Sequence, residues 1–264
     1  MKKHGKDRSD IVAFADLAFL ERDELRPVRL MLELLKPEIL QREAGIRSTI
    51  VVFGSARILS PEEAVAQLDE ARRLQRGVEA ATRRVDNSRY YDVAREFSRI
   101  VSEACQIDGR CDYVVVTGGG PGIMEAANRG ATEVGAKTIG LNIVLPHEQT
   151  PNPYITPGLG FTFHYFALRK MHFMLRAKAL VVLPGGFGTI DELFEALTLV
   201  QTKKIEHLPV VLVGRAYWER VLNFQHLLDE GMISPEDLSL FRYAESADEA
   251  WGHIVEYYAA HGTD

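Results

Sequence analysis

The stretch Ala179-Leu180-Val181-Val182-Leu183-Pro184-Gly185-Gly186-Phe187-Gly188-Thr189-Ile190-Asp191-Glu192 decides what this chain is. It opens on an unbroken apolar run of strand length. Beyond it Leu193, Phe194, Leu197 and Val200 fall at helical spacing. A glycine loop between a strand and a helix presents unbonded backbone N–H groups at the positive end of the helix, where an anion is held. Gly185, Gly186 and Gly188 let a phosphate approach without a Cβ in the way. Phe187 lies among them, and Thr189 adds a hydroxyl donor. Glu192 follows about one helical turn on, so its carboxylate reaches the same space. The same residues also fit a blander pattern: Thr189-Ile190-Asp191-Glu192 matches a T-x-x-E capping box, in which Glu192 folds back onto the Thr189 backbone.

The strand, glycine loop and helix recur upstream. Tyr113 to Val116 reads as a strand running into Thr117-Gly118-Gly119-Gly120-Pro121-Gly122. The next helix carries Ile123, Met124, Ala127, Ala131 and Val134 and stops at Gly135. Thr49 to Phe53 is a first strand ending in Gly54-Ser55-Ala56-Arg57, and Lys137 to Leu145 a third. Residues 146 to 160 read as a proline- and glycine-rich loop, Tyr165 to Lys178 as a helix carrying Arg169 and Lys170, and Pro209 to Val213 as a further strand. Helices are expected near 216–230 and 247–259. A charged, alanine-rich helix covers 61–84; Asp86-Asn87-Ser88 breaks it before another near 90–105. Residues 9 to 43 read as helical with a break near Pro27, an arm added ahead of the first strand. Alternating strands and helices predict an α/β fold, a parallel sheet with helices on both faces. Ligands bind such sheets at the carboxyl ends of the strands near a switch in strand order. The loops 54–57, 117–122 and 184–189 fall there.

Composition excludes several classes. The chain has 264 residues, 46% hydrophobic and 26% charged, with a net charge of −6, so no basic excess points to nucleic acid. Arg72, Arg73, Arg76, Arg83 and Arg84 are interleaved with acids and alanines, the pattern of a solvated helix face. Cys105 and Cys111 are too few for a zinc cage or a disulfide framework and fit a reducing cytosol. Asp16 interrupts the apolar run from Ile11 to Leu20, so the start does not read as a signal peptide. No segment is long and apolar enough to cross a membrane. A cytoplasmic protein without a membrane partner is expected. No His, Asp and Glu cluster has metal-ligand spacing, so no metal is expected.

The glycine loops are not the familiar nucleotide motifs. Counted from Gly118, the last position of G-x-G-x-x-G is Ile123; counted from Gly186, it is Asp191. A P-loop needs Gly-Lys-Ser/Thr at its end, but Gly188 is followed directly by Thr189. A single phosphate on one nucleotide is the simpler fit.

Gly118-Gly119-Gly120-Pro121-Gly122-Ile123-Met124-Glu125 together with Pro184 to Glu192 resembles the LOG ("Lonely guy") family of nucleoside 5′-monophosphate phosphoribohydrolases. The P-G-G-x-G-T-x-x-E signature is complete, Arg169-Lys170 stands where the family's Arg-Lys pair is expected, and Leu145 to Gln149 is similar to its glutamate-bearing loop. The similarity covers roughly residues 49–230. The arm, the charged insertion near 60–90 and the last helix suggest a larger bacterial-type branch. The resemblance implies a Rossmann-like, doubly wound sheet, with residues 1–48 as an N-terminal helical arm and 49–264 as the nucleotide-binding catalytic domain. It implies hydrolysis of a cytokinin riboside 5′-monophosphate or AMP to the free base and ribose 5-phosphate, with no cofactor, by a homodimer or higher homo-oligomer. Members often carry the label lysine decarboxylase, but no lysine here sits in a pattern that marks a pyridoxal phosphate Schiff base.

Cleaving the C1′–N bond places positive charge on C1′, which a carboxylate stabilises, as in glycoside hydrolysis. Glu192 takes that role, with the phosphate on Gly185 to Thr189. The family pattern makes Arg169 the second catalytic residue. Gly54 and Ser55 are expected on the opposite wall, and Gly118, Gly119, Gly120 and Gly122 in the second loop. Met124, Glu148, Lys170 and Thr198 complete the expected substrate contacts. His164 and His172 read as packing or interface residues. Two other classes compete: a non-catalytic nucleotide or phosphorylated-cofactor carrier, and an interaction protein using the apolar stripes of its arm.

Overall fold

The computed structural model describes residues 11–145 and 150–262. Seven parallel strands form one sheet: β1 (Thr49–Phe53), β2 (Val114–Thr117), β3 (Thr138–Ile143), β4 (Gly160–Phe163), β5 (Ala177–Val182), β6 (Val210–Val213) and β7 (Phe241–Ala244). Their spatial order is β4-β3-β2-β1-β5-β6-β7. The chain builds outward from β1 to β4, then returns to lay β5 against the free side of β1, with Ile50 opposite Ala179 and Phe53 opposite Val182. The order therefore reverses between β1 and β5. This is the doubly wound, Rossmann-like arrangement, with its ligand crevice at that switch point.

Strand alternation divides the core in two. In β1, Ile50 and Val52 face one layer while Val51 and Phe53 face the other; in β5, Ala179 and Val181 oppose Leu180 and Val182 in the same way. The first layer is closed by α4 (Val78–Cys105), α5 (Ile123–Glu133) and α10 (Ala247–His261), through Tyr91, Phe97, Ala127 and Ile254. The second is closed by α6 (Phe166–Met174), α7 (Phe187–Gln201), α8 (Arg215–Val221) and α9 (Phe224–Asp229), through Phe173, Leu193, Trp218 and Phe224. Strands covered on both faces are apolar throughout, which is why β1, β2, β5 and β6 were visible as continuous runs.

Ahead of β1 lie 3-10 turns at Ala13–Ala15 and Asp23–Leu25, a short α1 (Leu17–Leu20) and a long α2 (Arg26–Glu43) that packs on α6. The break expected near Pro27 falls just ahead of it, between the end of α1 at Leu20 and the start of α2 at Arg26. Pro27 itself sits in the first turn of α2, where its missing N–H is not needed.

The expected break at Asp86-Asn87-Ser88 is absent. α3 (Pro61–Arg73) ends early, and the chain turns through Gln75 and Gly77, at φ 51° and 72°, before α4 runs unbroken. Ser88 is buried with Tyr90, Tyr91 and Ala94, and its hydroxyl donates back to the Val85 carbonyl at 2.7 Å. Asp86 and Asn87 simply face solvent. Burial of one face overrides the turn preference of the three residues. Two edge strands were missed, β4 inside the expected 146–160 loop and its surroundings, and β7. Each mixes polar with apolar residues and forms no bare apolar run. The helix expected over Tyr165–Lys178 stops at Met174, and β5 starts at Ala177 rather than Ala179. Among the described residues no helix is long and apolar enough to cross a membrane.

Candidate functional site

A cavity of about 550 Å³ opens at the carboxyl ends of β1 and β5. Its floor is the amino end of α7. Gly186 is the N-cap and makes no side-chain cap. The first helical N–H bonded within α7 is that of Ile190, which donates to Gly186. The earlier amides, from Phe187 to Thr189, lie in the turn whose donors a helix cannot satisfy itself. Thr189 is the third helical residue, and its hydroxyl occupies the space a Cβ on Gly185 would need. The capping-box pattern is therefore not used: the helix starts before Thr189, and Glu192 is left free to face the cavity.

The loops are tied to one another. The Ser55 amide donates to the Pro184 carbonyl at 3.0 Å, and the Ile123 amide donates to the Ser55 carbonyl at 3.1 Å. Gly119 and Gly122 have φ of 72° and 71°, conformations that favour glycine, and a Cβ on Gly122 would strike the Ser55–Ala56 backbone. A buried amide network sets this second loop. Asn152 donates through its side chain to the Gly120 carbonyl at 3.0 Å and to Asn128 Oδ1 at 2.9 Å. Thr117 donates to the same Asn128 oxygen at 2.7 Å.

Arg169 and Glu192 meet across the cavity wall. Arg169 Nε donates to the Leu141 carbonyl at 2.7 Å, which aims the guanidinium, and Nη1 lies 3.8 Å from Glu192 Oε1. The Glu192 side chain is only 10% exposed. Burial pushes its carboxyl up to about 7, against the opposing pull of Lys170 and Arg169. Burial also lowers the Arg169 guanidinium, and Glu192 works against that. The pair thus holds a carboxyl poised near neutrality beside a cation that is fixed in place.

Of the residues expected from sequence, Gly54, Ser55, Gly118, Met124, Arg169, Gly185, Gly186, Phe187, Gly188, Thr189 and Glu192 all line this cavity. Gly119, Gly120 and Gly122 do not; they shape the turn behind it. Lys170 does not line it either. Its ammonium is drawn away by carboxylates of α7, donating to Asp191 Oδ2 at 2.8 Å. Thr198 is exposed and lies outside the cavity, because six residues beyond Glu192 is about one and two-thirds turns, which carries it round the helix. Glu148 lies outside the described residues.

The structure adds Arg57, Phe166 and Tyr217 to the lining. Arg57 stood in a loop already picked out, and among the described residues its guanidinium has no ion-pair partner. Tyr217 gave no signal in sequence. Its hydroxyl reaches back from α8 to donate to the Gly185 carbonyl at 2.6 Å. A larger hollow of about 770 Å³ lies at the amino ends of the strands, near Arg47, Ala177 and Leu208, and contains none of the glycine loops.

Residues 124–254 match the family described as "Possible lysine decarboxylase". A probable cytokinin riboside 5′-monophosphate phosphoribohydrolase, LOGL5 of Oryza sativa subsp. japonica, is 30% identical over 148 residues, covering 54% of this chain and 58% of that protein. The cytokinin riboside 5′-monophosphate phosphoribohydrolase LOG3 of Arabidopsis thaliana is 30% identical over 152 residues, covering 56% of this chain and 69% of that one. The chain thus spans little more than half the length of the first of these relatives. Among solved structures, the molybdenum cofactor binding protein of Rippkaea orientalis superposes with a TM-score of 0.49 at 17% identity, over 82% of this chain and 98% of that one. The chain belongs to the LOG family, the group of its phosphoribohydrolase relatives.

Proposed function

We propose that this protein hydrolyses the N-glycosidic bond of a nucleoside 5′-monophosphate, a cytokinin riboside 5′-monophosphate or AMP, to the free base and ribose 5-phosphate. The observation that carries the proposal is the position of Glu192. A buried carboxyl, paired with Arg169 at 3.8 Å, shares one cavity with the unsatisfied amides at the start of the same helix. The substrate phosphate sits on those amides and beside Arg57, which places the ribose against the first turns of α7. Anchoring a phosphate remote from the reacting carbon is a use of binding energy that positions C1′.

In the reaction the C1′–N bond breaks and its electron pair leaves with the base. Water forms the new bond to C1′, one of its protons being released and one retained on the sugar hydroxyl, while the base regains a proton. Glu192 as carboxylate stabilises the positive charge at C1′ or accepts the proton of the water. Arg169 keeps that carboxylate in place. A homo-oligomer is the form in which we expect the enzyme to work.

The test is release of ribose 5-phosphate and base from a panel of nucleoside monophosphates, with Glu192→Gln alongside. Turnover lost in the variant supports the proposal. Saturable binding without turnover by the natural sequence overturns it in favour of a nucleotide carrier.

A further inference from the structure

Three carboxylates of α7 compete for one ammonium behind the cavity wall. Asp191 and Glu195 stand at i and i+4, one above the other on α7, and Glu192 lies beside them on its buried flank. Lys170, 17% exposed, reaches in from α6. Its Nζ lies 2.8 Å from Asp191 Oδ2, 3.0 Å from Glu195 Oε2 and 3.9 Å from Glu192 Oε2. The Glu195 oxygen is buried, and Lys170 is the cation it meets, at 3.0 Å. The ammonium is therefore held about an ångström closer to the two neighbours than to the buried Glu192.

We infer that Lys170 is a positioning residue for Glu192, and that Glu195 and Asp191 hold its charge back and so keep Glu192 readily protonated. This inference rests on the reaction proposed above and assigns that site its control of proton affinity. Among the described residues the charged and titratable groups around Glu192 are these. Arg169 and Lys170 approach from α6, Asp191 and Glu195 from α7 itself, and Arg57 and Tyr217 line the same cavity from the loop after β1 and from α8. Arg169 is fixed by its bond to Leu141, so its distance from Glu192 is set by the sheet. Lys170 is the adjustable cation. Removing Glu195 lets the ammonium lean towards Glu192 and deletes one repulsive charge, and both effects favour the carboxylate. Removing Lys170 takes away the cation shared by the three carboxylates, leaves Glu192 with Arg169 and two unneutralised neighbours, and favours the acid.

The experiment uses the full chain and two readouts. The first is the acidic limb of the pH–rate profile for nucleoside monophosphate hydrolysis. The second is the carboxyl carbon signal of Glu192 in protein labelled with 13C-glutamate, titrated without substrate and assigned by its disappearance in Glu192→Gln. Glu195→Gln, isosteric and partly exposed, is expected to move both midpoints down by about one pH unit. Lys170→Met is expected to move them up by a similar amount, and the double variant to fall between the two. Opposite shifts support the inference, because loosening of the fold lowers turnover without moving a midpoint in two directions. Coincident midpoints in the natural sequence and Glu195→Gln overturn it, even if Lys170→Met fails to fold. If no monophosphate is hydrolysed, the proposed reaction fails while the carbon titration still decides the charge cluster.

Discussion

The Tyr217 hydroxyl donates to the Gly185 carbonyl at 2.6 Å, joining α8 to the glycine loop that begins α7. The bond fixes the plane of the peptide that leads into the free amides. Tyr217→Phe removes one buried hydrogen bond and leaves the ring packed on Trp218. The cost is about 1 kcal/mol. We expect KM for the monophosphate to rise by roughly fivefold, since 1.4 kcal/mol corresponds to tenfold, with a smaller change in kcat. Steady-state kinetics on the two proteins decide this; equal KM values would show that the loop holds itself.

Glu192 is predicted to make the fold less stable at the pH where it works. Its folded-state pKa, raised to about 7 by burial, exceeds the usual carboxylate value, so the folded protein holds the proton more tightly than the unfolded chain. Stability from this group is full below the unfolded pKa and is lost as pH rises through about 7. Glu192→Gln carries no such loss. In urea melts, the variant should gain on the natural sequence by roughly 1–3 kcal/mol between pH 5 and pH 8 while losing turnover. A pH-independent difference would contradict the raised affinity.

Gly118→Ala tests whether the position of Arg169 matters. The new Cβ would come within 2.7 Å of Arg169 Nη2 and 2.8 Å of Met124 Sδ. Both are ends of flexible side chains, so the backbone can stay in place while the guanidinium moves. We expect kcat to fall by roughly 10–100-fold, the range a small misplacement produces, with thermal stability changed by no more than about 1 kcal/mol. Unchanged kcat would remove Arg169 from the reacting geometry.

Arg57→Ala should weaken phosphate recognition and nothing else. Among the described residues this guanidinium has no carboxylate partner to leave unpaired. A charge-assisted hydrogen bond is worth about 1.5–3 kcal/mol, so KM for the monophosphate should rise by at least tenfold. Inhibition by inorganic phosphate should weaken in parallel, and inhibition by the uncharged nucleoside should not. Parallel loss of both would place Arg57 against the base or ribose instead.

What could be read from the sequence was what local chemistry dictates. β1 was placed at Thr49–Phe53 and stands there, because a strand covered on both faces is a bare apolar run. The glycine loops were visible because spacing alone shows them. The edge strands β4 and β7 were not, since Gly160–Phe163 and Phe241–Ala244 mix polar with apolar residues and form no bare apolar run like the equally short β2 and β6. Lys170 shows the deeper limit. Its neighbour Arg169 faces the cavity while Lys170 turns to Asp191 and Glu195, because successive residues of α6 point about 100° apart and carboxylates from a distant part of the sequence meet the second. Tyr217 and Asn152 reach the glycine loops only through tertiary contacts and had no motif to announce them.

The reversal of strand order between β1 and β5 also governs when the site comes into being. Ser55 and Gly118 come from the half of the chain that forms β1 to β4, whereas Gly185 and Glu192 follow β5, the strand on the other side of β1. That pairing joins segments far apart in sequence, the slow kind of contact in a folding chain. The first half carries one wall of the crevice, and the second holds the amides and Glu192 without the wall that faces them. Recovery of ligand binding during refolding therefore reports closure of the whole sheet, and a nascent chain released before β5 has no activity to misdirect.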